Sequence, residues 1–106
     1  MKDEQLAKIF KALSNEQRLR IFRMLCEWQA KSATGQIEDP CAGVERCFTR
    51  TCCSIALSPS TVSHHFKELQ NAGLITTSRN GQTFLCTVNA DALAAIADFA
   101  QSALKS

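Results

Sequence analysis

Apolar residues recur at helical spacing almost from the start of the chain. Leu6, Ile9, Phe10 and Leu13 form one stripe and predict a first helix over about Asp3–Leu13. Ser14 breaks the run. With Gln17 three residues on, it makes a capping box that would open a second helix over about Asn15–Gln29. Leu19, Phe22 and Cys26 form one row of that helix and Ile21, Leu25 and Trp28 the next, a width that predicts burial on most sides. The pattern lapses between Ala30 and Gly43, where small and polar residues with Gly35 and Pro40 predict a loop. A cysteine-rich stretch, Cys41 to Cys53, starts in that loop and is expected to enter a short helix ending near Leu57. Ser58-Pro59 is the next clear punctuation, a cap followed by a first-turn proline. The helix it opens runs over Pro59–Ala72, with Val62, Phe66 and Leu69 apolar, and stops at Gly73. Two β-rich runs follow, Ile75–Arg79 and Gln82–Val88, joined by the hairpin dipeptide Asn80-Gly81. A last helix over about Ala90–Leu104 carries a stripe of Leu93, Ile96, Ala97, Ala100, Ala103 and Leu104.

Two short helices joined by a tight turn and followed by a hairpin make a winged helix-turn-helix. The expected fold class is α+β, mostly α, with about five helices and a two-stranded wing. Residues 1–106 read as a single domain of this kind, with dimerisation helices at both ends. Hydrophobic residues at 45% and charged residues at 21% are ordinary for a globular chain. No apolar run approaches the ~18 residues of a membrane span, so no membrane partner is expected. The opening Met1-Lys2-Asp3-Glu4-Gln5 has no secretory character, which points to the cytoplasm. The net charge of +2 is too small to establish a nucleic-acid partner, so the placement of individual groups has to carry that argument.

The segment Ser58 to Lys67 supplies such a placement. Small hydroxyl residues and histidines fill its N-terminal half, short enough to let a helix sink into the major groove. Ser60, Thr61, Ser63, His64 and Lys67 are expected outward, toward base edges and phosphates, and Arg79 at the hairpin tip toward phosphate or the minor groove. The plainer reading is a capped surface helix, since hydroxyl residues near an N-cap serve local needs as well. His64 and His65, being adjacent, diverge by about 100° around a helix and are not expected to share an ion.

Six cysteines are many for this length. Cys41, Cys47, Cys52 and Cys53 crowd together, while Cys26 and Cys86 stand apart on apolar faces and read as core. Clustering favours a local site, and soft thiolates suit thiophilic ions. Cys47, Cys52 and Cys53 are the candidate ligands, with Cys41 as a further donor from the loop. Five residues separate Cys47 from Cys52, about 140° around a regular helix, so convergence requires the helix to start late or unwind. A thiol switch that oxidises without metal is the alternative, with Arg46 and Arg50 placed to lower thiol pKa values. Catalysis is not expected, because no nucleophile–base pair stands outside the reading segment and no thioredoxin-like Cys-x-x-Cys is present. No permanently bound cofactor is expected.

Two stretches carry a family likeness. Ala12-Leu13-Ser14-Asn15-Glu16-Gln17-Arg18-Leu19-Arg20-Ile21 resembles the opening of the ArsR/SmtB repressors. Ser58 through Phe66 and Leu69, with Ala72-Gly73-Leu74-Ile75, resembles their recognition helix and its exit, and Arg79-Asn80-Gly81 their wing. The likeness spans about residues 5 to 104, with a gap near the loop. It implies a homodimeric repressor whose first and last helices form the interface and which an inducer releases from operator DNA. A two-fold dimer would read an inverted repeat with half-sites about one helical turn apart. The family's zinc site on the last helix is not expected, since that helix offers Asp91 and Asp98 but no histidine. Its arsenic and antimony site resembles Glu45-Arg46-Cys47-Phe48-Thr49, with Thr49 where the pattern has a second cysteine and Cys52 and Cys53 close by to substitute. The implied inducer is trivalent arsenic or antimony, or another soft metal ion.

Overall fold

The computed structural model describes residues 2–31, 37–40, 56–80 and 83–105, and for 37–40, 79–80 and 83–85 the backbone alone. Its elements are α1 (Asp3–Leu13), α2 (Glu16–Ala30), β1 (Ile37–Pro40), α3 (Pro59–Asn71), β2 (Ile75–Asn80), β3 (Thr83–Val88) and α4 (Ala90–Lys105). Four helices therefore lie among the described residues. The short helix expected ahead of Leu57 falls outside them.

α1 and α2 meet at a corner that is capped one residue later than the sequence pattern suggests. Ser14 is the C-cap of α1 and its hydroxyl donates to the Lys11 carbonyl at 2.7 Å. Asn15 is the N-cap of α2, and its side-chain oxygen accepts from the Arg18 backbone N–H at 3.0 Å. The Ser14–Gln17 capping box is thus replaced by an Asn15 cap. The backbone decides this: Ser14 is still helical at φ −75°, ψ −12°, and the extended conformation an N-cap needs falls on Asn15 at φ −87°, ψ 124°.

α3 is bounded as expected at both ends. Ser58 caps α3 with Pro59 in its first turn. At the far end Leu74 N–H donates to the Leu69 carbonyl and Gly73 N–H to that of Gln70, both at 3.0 Å. This is a Schellman closure with buried Leu69 and Leu74 as its apolar contact. Gly73 sits at φ 79°, and an added Cβ would meet nothing within 4 Å, so the backbone conformation alone asks for glycine.

The wing is an antiparallel hairpin in which Ile75 faces Val88 and Asn80 faces Thr83. Asn80 is therefore the last strand residue, and the connection is residues 81–82 instead of Asn80-Gly81. The base of the hairpin sets this register. Asn89 N–H donates to the Leu74 carbonyl at 2.9 Å, and the Val88 N–H donates to Gln29 Oε1 on α2 at 2.6 Å. Asn89 also opens α4, accepting from Asp91 N–H at 3.0 Å while its amide donates to the Gly73 carbonyl at 2.8 Å.

One strand was not expected. Part of the segment read as loop, Ile37–Pro40, forms β1 and pairs antiparallel with the outer edge of β3, giving the sheet order β1-β3-β2. Ile37-Glu38-Asp39-Pro40 is too short and too acidic to announce itself by alternation. The free edge of β3 supplies the partner that such a strand lacks by itself.

The core lies where the three inner helices meet the sheet. α1 gives Ile9 and Ala12, α2 gives Ile21, Phe22 and Leu25, and α3 gives Val62, Phe66 and Leu69. Leu74, Ile75, Cys86, Val88 and Ala92 close it. Cys26 is half-buried against this core and Cys86 lies inside it, as their apolar positions predict.

Candidate nucleic-acid interface

α3 carries two opposed stripes. Val62, His65, Phe66 and Leu69 are buried, at the i, i+3, i+4, i+7 spacing of one helix face. Ser60, Ser63, His64 and Lys67 repeat the same spacing on the other side and are all exposed. The helix therefore has a packed back and a polar front from its first turn to its middle. α2 lies behind it, so the front is the side available to a duplex.

The first turn is knitted together by hydroxyls. Ser58 Oγ accepts from the Thr61 N–H at 3.3 Å and lies 2.8 Å from Thr61 Oγ1 and 3.3 Å from Ser60 Oγ. Thr61 is half-buried and committed to this cap, whereas Ser60 is exposed beside it. Ala56, two residues before the cap, has φ 54°, a left-handed conformation that turns the chain into the helix. Arg79 lies on β2 beside the hairpin connection, facing Phe84 on β3, and its side chain is outside the described set. Cys41, Cys47, Cys52 and Cys53 also lie outside the described residues. Of the candidate site residues, the structure thus brings Ser60, Ser63, His64 and Lys67 onto one face and turns Thr61 partly toward the cap.

His65 is the functional neighbour that the outward-facing pattern misses. Its side chain is 4% exposed. Arg18 Nε donates to His65 Nδ1 at 3.3 Å, and Arg18 Nη1 donates to the Ala12 carbonyl at 3.1 Å. Desolvation lowers the His65 pKa from 6.5, and the nearby positive charges of Arg18 and His64 act in the same direction, with Glu68 partly opposing them. A signal for this existed in the sequence. Residue 65 lies three after Val62 and four before Leu69, so it belongs to the apolar stripe despite being a histidine. Burial likewise raises the Cys26 thiol pKa, which marks it as a packed thiol rather than a reactive one.

Comparison with known proteins gives this geometry its family. Residues 42–77, the stretch running through α3 into the wing, match "Bacterial regulatory protein, arsR family". The "Uncharacterized HTH-type transcriptional regulator YceK" of Bacillus subtilis (strain 168) is 33% identical over 90 residues, which cover 84% of this chain and 76% of that protein. Among solved structures, an ArsR-like transcriptional regulator from Rhodococcus sp. RHA1 superposes with a TM-score of 0.67 at 19% identity, over 93% of this chain and 78% of that one. The homodimeric winged helix-turn-helix DNA-binding domain Mb0332 (fragment 1–100) from Mycobacterium bovis superposes with a TM-score of 0.61 at 19% identity, over 99% of this chain and 88% of that one. The structural likenesses agree with the winged-helix fold, and the sequence likenesses carry the relationship. The chain belongs to the arsR family of bacterial regulatory proteins and is a winged-helix DNA-binding transcriptional regulator, not an enzyme.

Proposed function

We propose that the protein is a homodimeric cytoplasmic repressor that holds an inverted-repeat operator until a thiophilic inducer releases it. The observation that carries the DNA half is the polar front of α3. Ser60, Ser63, His64 and Lys67 stand exposed in one row, backed by a buried row that fixes the helix against α2. Ser60, Thr61, Ser63 and His64 would read base edges or bond phosphates, and Lys67 and Arg79 would bind the backbone. The homodimer is supported by the apolar residues that α1 and α4 leave exposed, and by the homodimeric state of the Mycobacterium bovis relative.

The sensing half rests on chemistry in the sequence. The two cysteines among the described residues, Cys26 and Cys86, are packed against or inside the core. Cys47, Cys52 and Cys53, with Cys41 as a further donor, remain as the thiolates for trivalent arsenic or antimony, or for another soft metal ion. They directly precede the reading helix in the chain, so ordering them around an ion would act on the segment that presents α3.

The test is fluorescence anisotropy of a labelled duplex from the protein's own promoter, with reduced protein in the absence of oxygen, titrated with arsenite. Tight binding followed by release near stoichiometric arsenite is the expected result. Replacing Cys47, Cys52 or Cys53 by serine should abolish release and spare binding. Binding without release by any soft metal, but with release by oxidant, would replace the metal reading with a thiol switch.

A further inference from the structure

Three helices meet at one guanidinium. Arg18 stands in the first turn of α2, where its own N–H is capped by Asn15. Its Nη1 reaches the last turn of α1 through the Ala12 carbonyl, and its Nε reaches the middle of α3 through His65 Nδ1. The guanidinium is a rigid planar fork, so these two bonds fix an angle as well as a distance.

The histidine end of this link accepts only one protonation state. An Nδ1 that accepts a hydrogen bond carries a lone pair, so the imidazole proton sits on Nε2. Nε2 is itself buried with no hydrogen-bond partner among the described residues. A second proton would have to go onto Nδ1, where Arg18 already donates. Among the described residues, the charged groups facing the ring are Arg18 from α2 and His64 and Glu68 from α3, while α1 presents the Ala12 carbonyl to the same guanidinium. Glu68 alone among them favours an imidazolium.

We propose that Arg18 and His65 are positioning residues that set the angle of the reading helix against α1 and α2, and that a proton on His65 Nδ1 breaks this joint and weakens operator binding. In the step itself Nδ1 takes up one proton, the Arg18 Nε–H loses its acceptor, and two cations are left side by side. The row Ser60–Lys67 then loses its fixed presentation. The idea rests on the DNA-reading function proposed above, and the experiment separates the two.

His64 stands exposed on the same face and is itself a candidate DNA contact. The comparison must therefore hold His64 constant. In His65→Asn the amide oxygen falls near the place of Nδ1 and can accept from Arg18, but the side chain takes up no proton. Affinity for the promoter duplex is measured for both proteins at pH 8 and pH 5.5. At pH 8 the variant should bind within about threefold of the parent. On acidification the parent should lose about threefold more affinity than the variant, since a histidine titrating below 6.5 is only partly protonated at pH 5.5. Identical pH profiles would overturn the proposal.

Imidazole nitrogen NMR on the unaltered protein judges the same point if the variant misfolds. The Nε2–H tautomer at His65 is expected, with titration below the ordinary value of 6.5 and loss of α3 amide protection as it titrates. An Nδ1–H tautomer, or α3 protection indifferent to the titration, would sink the joint. Failure of the parent to bind any promoter duplex at low salt would count against the DNA reading instead, and the NMR result would still decide on the joint.

Discussion

Ser14 and Asn15 sit side by side between α1 and α2 and serve different helices. The serine hydroxyl turns back to Lys11, and the asparagine oxygen turns forward to the Arg18 N–H. Asn15→Ala should therefore cost about 1 kcal/mol, seen as a lower urea midpoint with an unchanged slope. Ser14→Ala leaves the exposed Lys11 carbonyl its bond from the Ser14 backbone N–H at 3.3 Å and should stay within about 0.5 kcal/mol. Equal losses at both positions would refute this division. His65 adds a pH term at the same scale. Its pKa is lowered in the fold from 6.5, so the unfolded chain takes up the proton first. The stability it allows is complete above pH 6.5 and declines as the pH falls below that value. Urea midpoints at pH 8 and pH 5.5 should differ by less in His65→Asn than in the parent.

At the scale of elements, the two stripes of α3 explain what the sequence could and could not disclose. Ser58-Pro59 and Gly73 bound the helix from residue type alone, because capping and left-handed closure each admit few residues. The outward row was legible too, since Ser60, Ser63, His64 and Lys67 follow from the positions of Val62, Phe66 and Leu69. Thr61 was not, because a hydroxyl that caps locally and one that faces DNA look alike in sequence. The Arg18–His65 link joins residues 47 apart and has no local pattern. β1 depends on the free edge of β3 and on contact with α2, and the wing register is anchored at its base by Gln29 and Asn89. That last point can be measured. Gln29→Leu strips the buried Val88 N–H of its acceptor and should cost about 1–3 kcal/mol, with faster exchange of the wing amides. The interface makes its own prediction. Lys67→Ala should weaken binding to operator and unrelated duplex alike and lower the salt slope by about 1, as loss of one phosphate contact requires. A selective loss of operator binding would make Lys67 a base reader.

At the scale of the whole molecule, α1 and α4 pack against each other, and their outer residues are unusually apolar. Phe10 is 38% exposed, Leu93 39%, Phe99 52% and Leu104 85%. The Phe10 and Phe99 rings meet edge to face with centroids 5.2 Å apart, which ties the two helices into one surface. A single protomer spends this surface on water, whereas a second copy related by a two-fold axis would cover it with the same residues. The same axis would set two α3 helices facing one side of a duplex about one helical turn apart, which a monomer could not do. Phe99→Glu tests this arrangement directly. It would set like charges together across the axis, while in the monomer it removes a half-exposed ring and about 0.5–1.5 kcal/mol of aromatic pairing. The variant should keep its helical circular dichroism, sediment as a monomer where the parent sediments as a dimer, and bind a full inverted repeat no better than a single half-site. A Phe99→Glu protein that still sediments as a dimer would move the interface elsewhere. A monomer that still prefers the full repeat would detach operator recognition from the two-fold axis altogether.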